Sequence, residues 1–139
     1  MSRIAGLGMD LADMERVRQA LRKNGEAFAL RICTPDERAD CRKHADPVPH
    51  LAVRFAAKEA VAKALGTGIG AKCAFTDVEV VRGDAGVPSI LLHGAAGVTA
   101  RELGITGWFL TMTHSRLSAA ATVIAVSYTH LTLPTILLV

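Results

Sequence analysis

The sequence predicts an α+β domain, with an antiparallel sheet packed on a long central helix. Three observations predict it. Helical apolar spacing and capping signals fill residues 14–65, whereas strand-type patterns and turns dominate residues 77–126. One helix-forming stretch, rich in alanine, runs unbroken through the middle of the chain. A length of 139 residues with no internal repeat and no linker fits one domain.

Each element has its own local reason. Ile4 to Leu11 reads as a short buried strand. Asp13 can cap a helix from Met14 to about Lys23, closed by Asn24-Gly25. Met14, Val17 and Leu21 form its apolar side; Arg16 and Lys23 flank that stripe on one side, Arg18 and Arg22 on the other. A second short helix covers Glu26 to Arg31. Thr34-Pro35-Asp36-Glu37 is a helix start with agreeing signals: a threonine cap, proline in the first turn and glutamate three residues after the cap. Asp46-Pro47-Val48-Pro49 breaks the chain before a helix from about His50 to Leu65, which Gly66 caps. Asp77 to Val80 alternates polar and apolar residues as a half-buried strand does. Gly83-Asp84-Ala85-Gly86 turns it into a return strand, Ser89 to Leu92. Gly94 to Leu103 reads as a helix ended by Gly104. Trp108, Leu110 and Met112 alternate with Phe109, Thr111 and Thr113 in a strand, His114-Ser115-Arg116 turns, and Ala119 to Val126 returns.

The bulk properties narrow the function. Sixteen Lys and Arg against thirteen Asp and Glu give a net charge of +3, which suits an acidic partner or a phosphate ligand better than nucleic acid. An aromatic content of 4% also argues against a base-stacking surface. Cys33, Cys41 and Cys73 show no paired spacing, which fits a reducing cytoplasm, and the absence of a C-x-x-C pair argues against zinc. No apolar run is long enough to span a membrane.

The richest segment is residues 54–68, Arg-Phe-Ala-Ala-Lys-Glu-Ala-Val-Ala-Lys-Ala-Leu-Gly-Thr-Gly. Its alanines make a slim helix that another backbone or a ligand can approach closely. Arg54, Lys58, Glu59 and Lys63 carry full charges, and Glu59 and Lys63, four apart, share a side. A carboxylate beside cations, running into Gly66-Thr67-Gly68-Ile69-Gly70, suits a metal and phosphates. The alternative is an ordinary surface pair worth ~0.3–0.5 kcal/mol. The glycine-rich loop offers backbone N–H groups to an anion or adenine, or is only a helix cap. Asp10 closes a strand, where ligands bind, or belongs to the cap of the next helix. Arg16, Arg18, Arg22 and Lys23 dock an acidic partner or form a solvated face.

The wording of residues 54–68 closely resembles the signature of the holo-(acyl-carrier-protein) synthases, the small 4′-phosphopantetheinyl transferases of fatty acid synthesis. Gly6-Leu7-Gly8-Met9-Asp10-Leu11 resembles that family's first strand with its acidic end, and Phe75-Thr76-Asp77-Val78-Glu79-Val80 its middle strand. Gly86-Val87-Pro88 resembles its turn and Thr113-His114-Ser115 its late histidine motif. The motifs stand in family order across residues 4–125. Val53, where the family often has glycine or alanine, and Cys73 depart from the pattern.

The resemblance implies a 4′-phosphopantetheinyl transferase-like fold over residues 1–126 and transfer of 4′-phosphopantetheine from coenzyme A to a serine of apo acyl carrier protein. It implies Mg²⁺ on Asp10 and Glu59, with Glu59 and Lys63 catalytic. Arg54, Lys58, Gly66, Thr67, Gly68 and His114 would bind the nucleotide part of coenzyme A. Arg16, Arg18, Arg22 and Lys23 would meet the acidic carrier protein, and the sites would lie between the subunits of a cytoplasmic homotrimer. The rival class is a non-catalytic module that binds a nucleotide or nucleic acid through the same cations. Family members usually stop near Ala125–Val126. Ser127 to Val139, uncharged and ending on Ile136-Leu137-Leu138-Val139, therefore reads as an appended remnant; the alternative is an extra strand.

Overall fold

The computed structural model describes residues 2–128. In chain order it contains β1 (Ser2–Asp13), α1 (Met14–Asn24), α2 (Glu26–Ile32), α3 (Pro35–Arg42), α4 (Val48–Leu65), β2 (Val78–Arg82), β3 (Pro88–Leu92), α5 (Gly94–Glu102), β4 (Gly107–His114) and β5 (Ser118–Tyr128). The strands form two sheets. A three-stranded antiparallel sheet has the order β1-β5-β4, and β2 and β3 form a separate hairpin.

The long helix α4 lies on the larger sheet because both partners are small where they meet. A Cβ on Gly6 would run into the Ala64 carbonyl, and one on Gly8 into the Ala60 carbonyl. Ala52, Ala56, Ala57, Ala60 and Ala62 are fully buried. Backbone thus approaches backbone, with little side-chain volume between. One half of α4 packs Leu51, Ala52 and Ala56 with Val17, Ile32, Cys33 and Val48. The other packs Val61 and Leu65 with Val78, Ala96 and Val123.

Capping agrees closely with the sequence expectation. Asp13 accepts from the Glu15 N–H at 3.3 Å and starts α1. Thr34 and Glu37 make the reciprocal box that starts α3, with Thr34 N–H donating to Glu37 Oε1 at 2.9 Å and Glu37 N–H to Thr34 Oγ1 at 3.3 Å.

β1 is neither short nor buried as expected: it runs from Ser2 to Asp13, and Ile4, Leu7, Met9 and Leu11 are exposed. Other boundaries differ as well. α4 begins at Val48, two residues before His50, because Pro49 falls in the first turn, where its missing N–H is not needed. Asp46 accepts from the Val48 N–H at 3.1 Å and secures that start. Phe75–Asp77 forms a 3₁₀ turn, so strand pairing begins at Val78. β5 continues past Val126: Ser127 pairs with Arg3 and Tyr128 with Ser2. The first two residues assigned to the appended segment therefore belong to the sheet; residues 129–139 lie outside the described residues. Among the described residues no helix is long and apolar enough to cross a membrane.

Candidate active site

The contact of Gly8 with Ala60 also sets the position of Asp10. Gly6 meets Ala64 and Gly8 meets Ala60, so β1 runs opposite to α4, and one strand repeat further on Asp10 lies on the same face of the sheet beside the middle of the helix. Lys63 crosses to it: its Nζ donates to Asp10 Oδ1 at 3.1 Å and to the Met9 carbonyl at 2.9 Å. Glu59 stands one helical turn before Lys63, yet among the described residues it forms no ion pair with Lys63 and receives no hydrogen bond. The alternative reading, an ordinary i,i+4 surface pair, is thus not what forms; Lys63 pairs instead between helix and strand.

The two carboxylates feel each other. Burial, and then the negative charge of Asp10, raise the Glu59 pKa above that of an ordinary glutamate, while Lys63 partly opposes them. Both carboxylates open onto a cavity of about 390 Å³, lined also by Asp13, Arg16, Phe28 and Phe55. Phe55 stacks against Phe75 with ring centroids 5.4 Å apart. Phe28 and Phe55 have no role in the sequence reading, because an apolar residue at helical spacing carries no mark that separates a cavity wall from a core position.

Asp10 and Glu59 fit a hard divalent cation. Their mutual repulsion and the unpaired Glu59 oxygens provide what Mg²⁺ favours, one or two carboxylates with room left for water and phosphate. Among the described residues no group of three or more metal-ligating side chains assembles.

Several expected site residues are placed elsewhere. Lys58 is fully buried; its ammonium donates to Glu37 Oε1 at 2.7 Å, to the Phe75 carbonyl at 3.0 Å and to the Val78 carbonyl. It is neither solvated nor open to a phosphate, since its helix face turns inward. Arg54 is 2% exposed and holds Asp40 at 2.5 Å and the His50 carbonyl at 3.1 Å, so both terminal nitrogens are engaged within the chain, whereas its buried Nε has no hydrogen-bond partner among the described residues. The N–H groups of Gly66, Thr67 and Gly68 donate to the Lys63 and Ala62 carbonyls, because the chain caps α4 through Gly66 at φ 79°. In this conformation they are not free for an anion. Arg18 is drawn to Asp46 at 3.0 Å, and Arg22 lies 3.8 Å from Glu15. Of the cations on α1, Arg16 alone lines the Asp10–Glu59 cavity.

His114 ends β4 opposite Ala119, whose other neighbour is Ala12, a strand repeat beyond Asp10. Its charge acts on His50 near the start of α4, together with His44 and Arg54. His114 and Arg54 therefore belong to the half of α4 remote from Lys63.

Glu37 is legible from the sequence as half of a capping box but not as the centre of a buried polar cluster. It also accepts from the Val80 N–H at 2.9 Å. Glu79, buried on β2, accepts from Thr34 Oγ1 at 3.1 Å and faces His93 Nε2 at 2.8 Å.

Known proteins share both the sequence pattern and the fold. The family model of the 4′-phosphopantetheinyl transferase superfamily matches residues 6–120. The chain is similar to the holo-[acyl-carrier-protein] synthase of Solidesulfovibrio magneticus, with 45% identity over 87% of this chain and 97% of the relative. It is 43% identical to that of Yersinia pestis, over 87% and 96%. Among solved structures, the Neisseria meningitidis holo-[acyl-carrier-protein] synthase matches with a TM-score of 0.83 and 36% identity, covering 88% of this chain and 98% of that one. The Bacillus anthracis enzyme, solved in complex with CoA (3′,5′-ADP), matches with a TM-score of 0.76 and 33% identity over 90% and 98%. The chain belongs to the 4′-phosphopantetheinyl transferase superfamily.

Proposed function

We propose that this chain moves the 4′-phosphopantetheine arm of coenzyme A onto a serine of an apo acyl carrier protein, releasing adenosine 3′,5′-bisphosphate, with Mg²⁺ held by Asp10 and Glu59. The observation that carries this reading is the meeting of Asp10 and Glu59 at one cavity, with Lys63 bonded to Asp10, from two segments about fifty residues apart in the chain. Relatives named holo-[acyl-carrier-protein] synthase, matched over nearly their whole length, support the reaction, and a relative solved with CoA supports the donor.

Each residue then has a chemical task. Glu59, whose proton affinity is raised by burial and by Asp10, accepts the serine hydroxyl proton. The serine oxygen bonds to the phosphorus that carries the pantetheine arm, and the bond from that phosphorus to the bridging pyrophosphate oxygen breaks. Mg²⁺, when bound, neutralises the pyrophosphate and so eases departure of the nucleotide. Lys63 donates to phosphate oxygens on which charge gathers. Arg16 at the cavity and Lys23 at the end of α1 attract an acidic carrier, chiefly by raising its association rate.

A homotrimer with sites between subunits is supported by the other face of the larger sheet. Leu7, Met9 and Leu11 on β1 are 65%, 61% and 67% exposed, and Phe109 on β4 is 59% exposed. So apolar a strip suits burial against further copies of the chain. The placement of Arg54 and His114 at the far half of α4 supports sites completed by a neighbouring subunit. The setting proposed is cytoplasmic fatty acid synthesis.

Mass spectrometry tests the reaction. An apo carrier protein incubated with coenzyme A, Mg²⁺ and the chain should gain one phosphopantetheine. Asp10→Ala and Glu59→Ala should remove the gain while circular dichroism stays unchanged. Full transfer in excess chelator, or in both variants, would refute the metal assignment.

A further inference from the structure

We infer that Lys63 is the internal counter-ion of the metal-free site, that a divalent cation must displace it from Asp10, and that the freed ammonium then turns to the anionic substrate. This role rests on the metal reading proposed for Asp10 and Glu59 and deepens it.

The charge balance of the cavity leads there. Asp10 and Glu59 bring two negative charges, and Lys63 supplies one positive charge to Asp10 alone. The Lys63 ammonium occupies Oδ1 of Asp10, an oxygen that would otherwise face a cation, and is anchored there by the Met9 carbonyl. It is not a rigid core group. The Lys63 side chain is 52% exposed while that of Asp10 is 17% exposed, so the lysine can swing away and the carboxylate cannot. Its stem rises from the last turn of α4, where a cation is favoured whichever way it points. Lys58 shows the contrast: fully buried and bonded to three acceptors, it has nowhere to go.

A divalent ion beside Asp10 would repel the ammonium at close range and take over its work of neutralising the carboxylates. The cluster of Asp10, Glu59 and Lys63 would then change from net −1 to net +1, with Asp13 and Arg16 beside it cancelling each other, and would favour a pyrophosphate. An anion that engages Lys63 would in turn free Asp10 for the metal. Metal and nucleotide should therefore promote each other's binding, and the two effects must be equal.

Mn²⁺ binding, followed by electron paramagnetic resonance, tests this without reference to turnover. The proteins are the full chain, Lys63→Met, Lys63→Gln and Asp10→Asn, each with and without adenosine 3′,5′-bisphosphate. Without nucleotide, Lys63→Met and Lys63→Gln should bind Mn²⁺ about 5-fold more tightly than the parent chain. Nucleotide should tighten Mn²⁺ binding in every protein that keeps Asp10, but by a clearly larger factor in the parent chain than in these two variants. If Mn²⁺ binding depends on Asp10 but is unchanged or weakened in both Lys63 variants, the counter-ion role is wrong and the metal site stands. If the parent chain shows no saturable binding that Asp10→Asn removes, the metal reading and this inference fall together.

Discussion

The Gly8 α-carbon faces the Ala60 carbonyl so closely that a single added methyl group would overlap it. This contact joins the first strand to the central helix and brings Asp10, two residues on, beside the middle of α4. The same strand must supply a carboxylate for the site and almost no volume for the core.

Gly8→Ala should therefore destabilise the fold by about 1–3 kcal/mol or more, because the clash is with backbone and no side chain can move aside. Gly70→Ala, with no atom near the added group, should stay within about 0.5 kcal/mol of the parent. Urea denaturation compares them. Equal stability of Gly8→Ala and the parent would mean that strand and helix do not meet as described.

Lys58→Met should cost about 3–5 kcal/mol, since it leaves the Glu37 carboxylate buried without its closest cation. Arg54, at 3.9 Å from Glu37, is too distant to take over fully. Adding Glu37→Gln should recover part of the loss, as expected for groups that interact directly. A Lys58→Met protein of unchanged stability but weakened coenzyme A binding would reverse the assignment and return Lys58 to the nucleotide.

Much of this architecture is legible in the sequence because local rules and tertiary packing agree. Asp13 and the Thr34–Glu37 box cap where capping chemistry puts them, and Gly66 ends the central helix. The proximity of Asp10, Glu59 and Lys63 is legible only through resemblance, since no local pattern states which part of a helix a strand will cross. The residues whose placement differs from expectation share one cause. Charge alone points Arg54, Lys58 and Arg18 toward a ligand or partner, but a cation is equally at home beside a carboxylate of its own chain. Glu37, Asp40 and Asp46 are separated from them by at least fourteen residues, beyond the reach of any local pattern. The glycine loop differs for a related reason. Donors that could face an anion can equally close the helix, and the carbonyls of Ala62 and Lys63 are nearer.

The stability of the chain should fall below about pH 6.5 in part through His50. Its pKa in the folded chain is lowered, first by burial and then by the charges of His44, Arg54 and His114. His44 stacks on it at 3.5 Å between ring centroids. Above the ordinary histidine pKa of about 6.5 the ring is neutral whether folded or not, and contributes nothing to the pH dependence. Below that value the unfolded chain binds the proton first, so stability declines until the folded form also takes it up. His50→Gln should flatten the decline between about pH 6.5 and pH 5. An unchanged slope in urea midpoints across that range would assign the titration to another group.

Ser127 and Tyr128 should contribute to the stability of the larger sheet. Ser127 is 6% exposed and pairs with Arg3, and the Tyr128 N–H donates to Thr106 Oγ1 at 3.0 Å. Tyr128 also lies against Gly107, where β4 begins. These two residues close the sheet at the end where β1 starts. A chain cut after Val126 loses them and exposes the edges of Ser2 and Arg3. It should melt a few degrees lower, the scale of about 1 kcal/mol in a domain of this size. A chain cut after Tyr128 keeps every strand pair described and should melt with the parent. It should also be more soluble, since it lacks the uncharged Ile136-Leu137-Leu138-Val139. Thermal melts of the two truncations separate the readings. Equal melting of both would show that Ser127 and Tyr128 add nothing and that the domain ends at Val126. A several-degree loss from the cut after Tyr128 would show that the last eleven residues stabilise the fold, and the appended-remnant reading would fail.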